Sequence, residues 1–295
     1  MDNIIVVNKD KDYTSRDVVN VIGKIFNTKK VGHTGTLDPL ATGVLIVCMN
    51  KALKVVDLIT ASDKEYIAKV VLGIDTDTLD ITGNIINECR TNVNVDMVKS
   101  VLNSFIGKSI QEVPKYSAVK VNGKKLYEYA RSGKKIEVKA REIEIYAIDL
   151  IEVSSKNNEI TFRVHCSKGT YIRSLCEDIA TKFETVGYMK SLKRTQVGNF
   201  KIDNSITIEE LKNLIENNEN IDIDDILKNK IITAEEIFKK FQSINLDEKK
   251  LEMFLNGVML TQNLDEGVYK IYNKNSEFIG TGTIKNKLLK RDIIL

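Results

Sequence analysis

The chain has 295 residues, of which 42% are hydrophobic, and a formal net charge of +3 at pH 7. This length suits one large domain, or a large and a small one, with enough apolar residues for a core. The longest apolar run, residues 44–49, is far too short for a transmembrane helix. Four scattered cysteines argue against a zinc site or a disulfide framework, and the amino terminus lacks the pattern of a signal peptide. We therefore expect a soluble cytoplasmic protein with reduced thiols.

Charge is segregated along the chain. Residues 105–141 carry ten Lys or Arg against three acids, whereas residues 202–228 carry eight acids against two lysines. Residues 269–291 are basic again, with six Lys or Arg and one acid. Segregation of this kind is expected where a polyanion binds on one side of a protein. A solvated lysine-rich loop is the alternative for residues 105–141.

The first third of the chain alternates between strand and helix patterns. In chain order, the apolar periodicity predicts a strand, a helix capped by Thr14-Ser15, a strand, a helix, a strand and a helix, at residues 3–8, 14–26, 44–48, 51–60, 65–72 and 95–106. A loop with three glycines, residues 32–43, lies between the first helix and the second strand.

The middle of the chain begins with an irregular basic segment. Residues 108–141 have weak periodicity, which predicts a long excursion from the core. Alternating apolar residues over 143–147 and 160–166 predict two half-buried strands, and Lys168-Gly169-Thr170 turns into a helix. Interleaved strands and helices favour an α/β (α+β) fold, in which helices flank a mixed, largely antiparallel sheet.

The last third differs in composition. Residues 202–229 are acidic and rich in Asn, which predicts a linker, with a short helix opening at 206–211. Short β-type runs at 268–272, 278–282 and 291–295 then suit a small β-barrel. We expect a larger domain over residues 1–234 and a smaller one over 242–295.

The segment most informative about chemistry runs from Gly32 to Gly43, with the sequence Gly-His-Thr-Gly-Thr-Leu-Asp-Pro-Leu-Ala-Thr-Gly. Pro39 keeps Asp38 out of the helical conformation, so this carboxylate is presented on an extended backbone. Nearby glycines allow close approach of a partner. From the residues alone, an Asp-Pro pair between glycines is more often a turn than an active site.

Common catalytic motifs are absent from the sequence. It contains no phosphate-binding Gly-x-x-x-x-Gly-Lys-Ser/Thr motif, and its two histidines, His33 and His165, are far apart without a metal-ligand cluster. An enzyme built from this chain would rely on carboxylates, tyrosines and arginines. We expect it to need neither a metal nor an organic cofactor.

The segment 32–43 closely resembles the motif of the TruB-type tRNA pseudouridine synthases. Further motifs similar to those of the family follow in the same order, at Lys64-Glu65-Tyr66, 75–83, Tyr116-Ser117-Ala118-Val119-Lys120, 123–131, Cys166-Ser167-Lys168-Gly169-Thr170-Tyr171-Ile172-Arg173, Leu192-x-Arg194 and Val197-Gly198. The resemblance is strong over residues 3–200, and the carboxyl-terminal residues resemble a small PUA-type RNA-binding barrel.

The resemblance implies an enzyme that isomerises uridine 55 in the T loop of tRNA to pseudouridine. It implies Asp38 as the nucleophile, attacking either C6 of the base or C1′ of the ribose, with Tyr66 and Arg173 completing the catalytic group. Tyr66 would stack on the uracil, and Arg173 would pair with Asp38. The partner would be the T arm of tRNA, bound by a monomer that requires no protein partner.

The resemblance also implies a set of residues that bind the substrate. Within the active-site region these are His33, which would fill the space left by the extruded base, together with Asp80, Tyr171 and Leu192. An RNA-gripping insertion at about 108–141 would clamp the phosphates of the arm through its basic residues, Lys120, Lys124, Arg131 and Arg141.

The sequence departs from the family pattern near its start. The family has Lys-Pro-x-Gly before Thr-Ser, whereas this chain has Lys9-Asp10-Lys11-Asp12-Tyr13 and so lacks both Pro and Gly. We expect this loop to be more mobile. Two alternatives stay open: an RNA-binding or tRNA-folding module without essential isomerase activity, and the archaeal or eukaryal relative guided by small RNAs, which the long insertion disfavours.

Overall fold

The structure, a computed structural model, describes residues 3–91, 93–117, 119–132, 136, 140–217, 227 and 230–295, and at positions 120, 125, 127, 130 and 131 it describes the backbone alone. The helices of the described residues are α1 Ser15–Ile25, α2 Val56–Thr60, α3 Val95–Asn103, α4 Leu126–Arg131, α5 Ile172–Lys182, α6 Ile208–Glu216 and α7 Glu248–Leu255. Short 3-10 helices span Asn50–Val55, Ile202–Asn204 and Ala234–Phe238. Among the described residues, no helix has the length and hydropathy needed to cross a membrane.

The strands are β1 Asn3–Lys9, β2 Val31–His33, β3 Thr42–Met49, β4 Lys64–Leu72, β5 Ile74–Thr76, β6 Ile85–Glu88, β7 Gly107–Gln111, β8 Lys120–Val121, β9 Lys124–Lys125, β10 Arg141–Ser154, β11 Glu159–Cys166, β12 Gly187–Val197, β13 Phe200–Lys201, β14 Ile231–Thr233, β15 Ser243–Asn245, β16 Leu260–Thr261, β17 Gly267–Tyr272, β18 Phe278–Lys285 and β19 Leu288–Ile294.

A ten-stranded sheet forms the larger part of the molecule. Its main order is β14-β1-β3-β12-β4-β11-β10-β7, with β2 paired to β3 and β13 paired to β12. All of these pairings are antiparallel except β3 with β12. That parallel contact is short and pairs Lys193 with Thr42 and Arg194 with Gly43. The expected mixed, largely antiparallel sheet with flanking helices is confirmed.

The first helix starts where its sequence predicts. Thr14 accepts a hydrogen bond from the backbone of Asp17, whose carboxylate in turn accepts from the backbone of Thr14. Such a cap stabilises a helix by about 0.5–2 kcal/mol. Val18, Val19 and Ile22 follow at helical spacing and are buried, so α1 packs its apolar face on the sheet.

The main core lies on the face of the sheet that α1 and α5 cover. Along β4, the alternate residues Tyr66, Ala68 and Val70 point into this core. Their neighbours on β11, including Phe162, do the same. The period-2 pattern therefore fixes which side of each strand meets the helices.

The carboxyl-terminal residues form a second, five-stranded sheet, with the order β15-β17-β18-β19-β16. It is a curled half-barrel, as expected from the short β-type runs. Its own core is built around Phe254, Ile271 and Leu289. Phe278 contacts Phe238 at a ring-centroid distance of 6.0 Å and so joins this sheet to a cluster of the larger one.

Two predictions about the connecting regions need correction. Residues 202–217 are not a linker, because Ile206, Ile208 and Leu211 are buried and the backbone of Ile206 bonds to β1; the short helix predicted there is confirmed as α6. The predicted excursion over residues 108–141 is also wrong at its two ends, since β7 and the start of β10 pair in the main sheet. Both segments contain sheet or core residues at positions where composition suggested only polar chain.

Candidate active site

A cavity of about 730 Å³ opens beside the short parallel contact between β3 and β12. Its walls come from the loop before β3, from β4, from β12, from the start of α5 and from the segment after β7. Six of the residues expected from the sequence line it: Asp38, Tyr66, Arg141, Tyr171, Arg173 and Leu192. Residues far apart in the chain are thus brought to one place.

Asp38 is presented by a loop tied to the first helix. The hydroxyl of Ser15 accepts a hydrogen bond from the backbone N–H of Leu37 and donates to its carbonyl oxygen, at 2.9 and 3.1 Å. Leu37 and Leu40 are buried on either side of Asp38 and Pro39. The apolar anchors hold the loop down, so the Asp38 side chain, 36% exposed, is left facing the cavity.

Arg173 lies between two carboxylates. Its Nε is 3.1 Å from Oδ2 of Asp38, and its Nη1 is 3.7 Å from Oδ2 of Asp80. Its remaining donors bond the carbonyl oxygens of Thr78 and Tyr116, at 3.1 and 2.8 Å. The guanidinium is 6% exposed, so these four partners fix it firmly.

Burial raises the pKa of the Asp38 carboxyl above its ordinary value. Arg173 acts in the opposite direction, Asp80 raises the pKa further, and Lys9 lowers it. The carboxylate is therefore a stronger base and nucleophile than a free aspartate, while Arg173 favours its ionised form. This balance suits nucleophilic chemistry at neutral pH.

Asp80 is buried behind Arg173 and does not face the cavity. Its Oδ1 accepts hydrogen bonds from the hydroxyl of Thr78, and from the backbone and hydroxyl of Thr82, at 2.9, 3.0 and 2.6 Å. Its other oxygen is left to face Arg173. The structure thus places Asp80 as a support for the guanidinium, one step removed from any ligand in the cavity.

Tyr66 lies on β4 in register with Arg194 on β12. Burial raises the pKa of the Tyr66 hydroxyl, and the neighbouring Arg194 guanidinium acts in the opposite direction. The phenol is therefore neutral at pH 7, with its ring forming part of the cavity wall.

Lys9 organises the loop in which the sequence departs from the family pattern. Its fully buried ammonium donates to the carbonyl oxygens of Asp10, Tyr13 and Pro39, at 2.9, 2.6 and 3.3 Å. Asp12 adopts a left-handed conformation, with φ of 69°, and its N–H bonds the carbonyl of Pro39 at 2.8 Å. Asp tolerates this conformation better than most residues, so it can stand where the family has Gly. The loop is thus tied to Pro39, the residue that follows Asp38, while its greater mobility stays a prediction.

Tyr171 and Arg141 form one edge of the cavity. The Arg141 guanidinium lies over the Tyr171 ring at 5.2 Å, and Gln111 brackets the Tyr171 backbone with hydrogen bonds of 2.8 and 3.0 Å. A cation stacked on an aromatic ring is held in place while its donors stay free for a ligand. Leu192, from β12, supplies an apolar surface.

Other expected residues lie outside the cavity lining. His33 sits on β2, with its Nδ1 accepting from the backbone N–H of Gly35 at 3.3 Å. Burial, together with the cations Arg194 and Arg16, lowers the pKa of His33, so the ring is neutral at pH 7. Lys124 is exposed in the β8–β9 hairpin. The side chains of Lys120 and Arg131 are outside the described residues.

The cavity also contains polar groups to which we assigned no role from the sequence. Lys64 and Arg194 line it with 7% and 3% of their surface exposed. The hydroxyl of Ser117 also lines it, and it is buried without a hydrogen-bond partner among the described residues. The alternation of inward and outward residues along β4 and β12 could have identified both cations from the sequence. Each occupies an inward position where an apolar residue is usual.

Models of known families match three parts of the chain. Residues 23–172 match "TruB family pseudouridylate synthase (N terminal domain)", and residues 173–255 match "tRNA pseudouridylate synthase B C-terminal domain". Residues 243–290 match "Pseudouridine synthase II TruB, C-terminal". Together these matches extend over both sheets.

Similar proteins cover the full length. A protein of Clostridium novyi (strain NT) named tRNA pseudouridine synthase B is 43% identical over 100% of both chains. One of the same name from Clostridium tetani (strain Massachusetts / E88) is 42% identical over 96% of this chain and 95% of that protein.

Solved structures resemble this fold. A chain in the "Crystal Structure of a Cbf5-Nop10-Gar1 Complex" superimposes with a TM-score of 0.74 at 26% identity, over 99% of this chain and 84% of that one. A chain in an H/ACA RNP bound to a substrate RNA containing 2′-deoxyuridine gives a TM-score of 0.72 at 23% identity, over 99% and 84%, which supports the fold alone. With its cavity, its sequence motifs and its full-length relatives in agreement, the chain belongs to the TruB family of pseudouridylate synthases.

Proposed function

We propose that this chain converts uridine 55 in the T loop of tRNA to pseudouridine, with Asp38 as the nucleophile. The observation that carries the role of Asp38 is its position on the cavity wall, with the Arg173 guanidinium 3.1 Å away. The substrate follows from family membership and from relatives named tRNA pseudouridine synthase B.

The reaction breaks the N1–C1′ bond, turns the base and rejoins it through C5. It involves no change of oxidation state, and one carboxylate can serve by adding to C6 of the base or to C1′ of the ribose. Asp38 suits either route, because burial strengthens it as a nucleophile while Arg173 favours its charged form. Arg173 is itself positioned by Asp80 and by the carbonyl oxygens of Thr78 and Tyr116.

The cavity has the size of a site for a single nucleotide. Its volume of about 730 Å³ lies within the usual range for small-ligand pockets. A uridine reaches it by leaving the stack of the T loop, at a cost of a few kcal/mol. Stacking on Tyr66 returns about 1–3 kcal/mol, and Leu192 and Tyr171 supply further surface. His33, outside the lining, would occupy the space that the extruded base leaves in the RNA.

RNA binding outside the cavity rests on positive charge. We assign residues 1–234 to a catalytic domain, residues 108–141 within it to an insertion that grips RNA, and residues 242–295 to a PUA-like domain. Arg141 links the insertion to the cavity edge, and Lys120, Lys124 and Arg131 extend the positive charge. Such contacts bind phosphates without regard to sequence, and they weaken with salt. The protein then acts as a cytoplasmic monomer.

The proposal is tested with a T-arm RNA that carries tritium at C5 of its uridines. The wild-type protein releases tritium as C5 loses its hydrogen, and sequencing of the product places pseudouridine in the T loop. Asp38→Ala abolishes the release while RNA binding persists. Asp149→Ala is the matched control, because Asp149 is exposed on β10, away from the cavity.

Three results would contradict the proposal. Tritium release by Asp38→Ala at the wild-type rate would remove Asp38 as the nucleophile. A product outside the T loop would remove the substrate assignment. If wild-type protein binds the RNA and releases no tritium, the chain is instead an RNA-binding or tRNA-folding module.

A further inference from the structure

The charged groups around the cavity fall into two sets. Asp38 is influenced by Arg173, Asp80 and Lys9. Lys64 and Arg194 instead donate to backbone carbonyl oxygens, and burial, followed by Arg194, lowers the pKa of Lys64. Tyr66 lies between the two sets, because both Arg194 and Asp38 act on its hydroxyl. The cavity therefore holds a carboxylate paired with an arginine, and two further cations whose hydrogen bonds go to backbone carbonyl oxygens.

Arg194 is a buried cation without an acidic partner in the described part of the chain. Its Nε donates to the carbonyl oxygen of Val44 at 2.7 Å, and its Nη2 donates to that of Gly35 at 3.0 Å. It is also the register partner of Tyr66, and it opposes the rise that burial causes in the pKa of the Tyr66 hydroxyl. These partners satisfy donors and leave the positive charge uncompensated, in contrast to Arg173.

Lys64 is a second cation of the same kind. It lies two residues before Tyr66 on β4, on the same face of the strand, and its ammonium donates to the carbonyl oxygens of Thr60 and Ser62, at 2.7 and 2.5 Å. Asp63, beside it in sequence, contacts His165 instead. Burial, and then Arg194, lower the pKa of Lys64 to about 8, so the ammonium is still charged at pH 7.

Two buried positive charges that repel each other cost free energy. The penalty for burying one unpaired ion is several kcal/mol, and replacement by apolar residues is often stabilising. The carbonyl contacts give both residues a structural task, namely tying down the loops at Gly35 and at Thr60–Ser62. Neutral donors can also make hydrogen bonds to carbonyl oxygens, so these contacts do not explain why two full positive charges are buried here. An anion bound in the cavity would explain them.

The depth of Lys64 and Arg194 in the cavity decides which part of an extruded nucleotide would reach them. The ribose and phosphates stay connected to the RNA strand and must remain toward the mouth, whereas the base enters furthest. Arg194 and Lys64, at 3% and 7% exposed, flank the tyrosine on which the base stacks under the proposed function. The base is therefore the part of the substrate within their reach.

We propose that Lys64 and Arg194 form a cationic subsite that stabilises negative charge on the uracil ring during the isomerisation. This inference rests on the proposed function and deepens it. The two residues act on the reacting base by electrostatics, as preorganised donors act on a developing oxyanion in other enzymes.

Negative charge on the base arises by either route. If Asp38 attacks C1′, the electron pair of the N1–C1′ bond stays with uracil, and the anion is spread over N1, O2 and O4. If Asp38 adds to C6, the ring becomes an enolate at O4 before that bond breaks. In both cases the pair finally forms the C5–C1′ bond, Asp38 departs, C5 loses one proton and N1 gains one. The same subsite therefore serves both routes.

The test measures single-turnover isomerisation of the T-arm RNA by Lys64→Met and Arg194→Met. We expect each to lower the rate about 100-fold, the scale for loss of one preorganised charge donor, with little change in KM. Lys69→Met is the matched control, because Lys69 lies on the same strand but pairs with Glu159 at 3.2 Å, outside the cavity. Arg194→Lys, which keeps the charge, should retain more activity than Arg194→Met.

A second substrate separates charge stabilisation from other roles. In RNA carrying 5-fluorouridine at the target position, the fluorine stabilises an anionic base, so the protein has less to supply. Cleavage of the N1–C1′ bond is followed by chromatography of the digested nucleosides. We expect the deficit of Lys64→Met to shrink from about 100-fold to about 10-fold with this base.

Three outcomes would overturn the inference. Equal deficits with uridine and 5-fluorouridine would show that the base charge is not what these residues meet. Weaker wild-type binding to RNA with uncharged methylphosphonates beside the target, with no such change in Lys64→Met, would assign the cations to a phosphate. Equal losses in Arg194→Lys and Arg194→Met, with lowered melting temperatures, would leave a structural tie alone. A wild type that makes no pseudouridine would instead count against the proposed function.

Discussion

The two sheets treat buried charge in different ways. Among the described residues, the ten-stranded sheet and its loops bury six charged side chains, of which five lie close to one cavity, namely Lys9, Lys64, Asp80, Arg173 and Arg194; the sixth is Glu159. In the described part of the five-stranded sheet, the buried polar side chain is the uncharged Thr281. Because burying an ion costs several kcal/mol unless it is compensated, their concentration around the cavity marks the place where the chain gives up stability for chemistry. The described part of the small sheet has no comparable concentration of buried charge.

Replacing Arg173 should have the largest effect on this contrast. Arg173→Met leaves Asp38 and Asp80 without the cation that separates them, so the pKa of Asp38 rises and the carboxylate loses its orientation. We expect the single-turnover rate at pH 7 to fall about 1000-fold. The same change removes a buried charge that two acids share, and it should lower the free energy of unfolding by about 3–5 kcal/mol.

Arg163→Met is the control for this variant. Arg163 lies on β11 with half of its side chain exposed, and its Nε is 4.0 Å from Glu65. An exposed pair of this kind contributes about 0–1 kcal/mol. Similar rates for Arg173→Met and Arg163→Met would refute the role given to the buried arginine.

The pH dependence of the rate should report the protonation of Asp38, Lys9 and Lys64. The reactive form of Asp38 is the carboxylate, so the rate falls about tenfold per pH unit below its pKa, which burial places above the ordinary 3.8. In Arg173→Met this acidic limb should move to higher pH. Above pH 8 the rate should fall again, as Lys9 and Lys64 lose their protons. An acidic limb at the same pH in both proteins would contradict the pairing.

Two matched core substitutions should have the smallest effects on chemistry. They should show whether the two sheets unfold independently. Phe162 and Phe254 are both fully buried, in the cores of the large and the small sheet. Each change to Ala should cost about 3–5 kcal/mol of stability in its own unit. We expect Phe162→Ala to lose its activity on the isolated T arm at a lower temperature than the wild-type protein does. Phe254→Ala should keep that activity and weaken binding of full-length tRNA. Melting curves and activity against temperature test this, and parallel losses would show that the sheets unfold together.

Much of the fold follows from local pattern. The cap at Thr14, the alternation along β4 and β11 and the buried run of β3 are each legible from a few neighbouring residues. The linker prediction failed because composition describes average polarity. A few apolar residues at the right spacing, such as Ile208 and Leu211, are enough to dock an acidic segment on the core.

The site was only partly predictable for a related reason. Motif resemblance identifies Asp38, Tyr66 and Arg173, but it does not say which neighbours compensate their charges. That information depends on contacts such as Arg173 with the carbonyl of Tyr116, between residues distant in the chain. Lys64 and Arg194 could have been suspected from charges at inward strand positions. Whether such a charge faces an acid or an empty cavity is decided by tertiary structure.

Gly43 controls the contact that joins the halves of the large sheet. It adopts φ of 101°, and a Cβ added there would collide with the carbonyl oxygen of Arg194. Even a methyl group would therefore push β3 away from β12 where they share two residue pairs. Since one strand follows the Asp38 loop and the other carries Arg194, the distance between these two side chains depends on the absence of a side chain at Gly43. Substitution cannot change this strand spacing in small steps, because glycine has no smaller replacement and even the methyl group of alanine would collide.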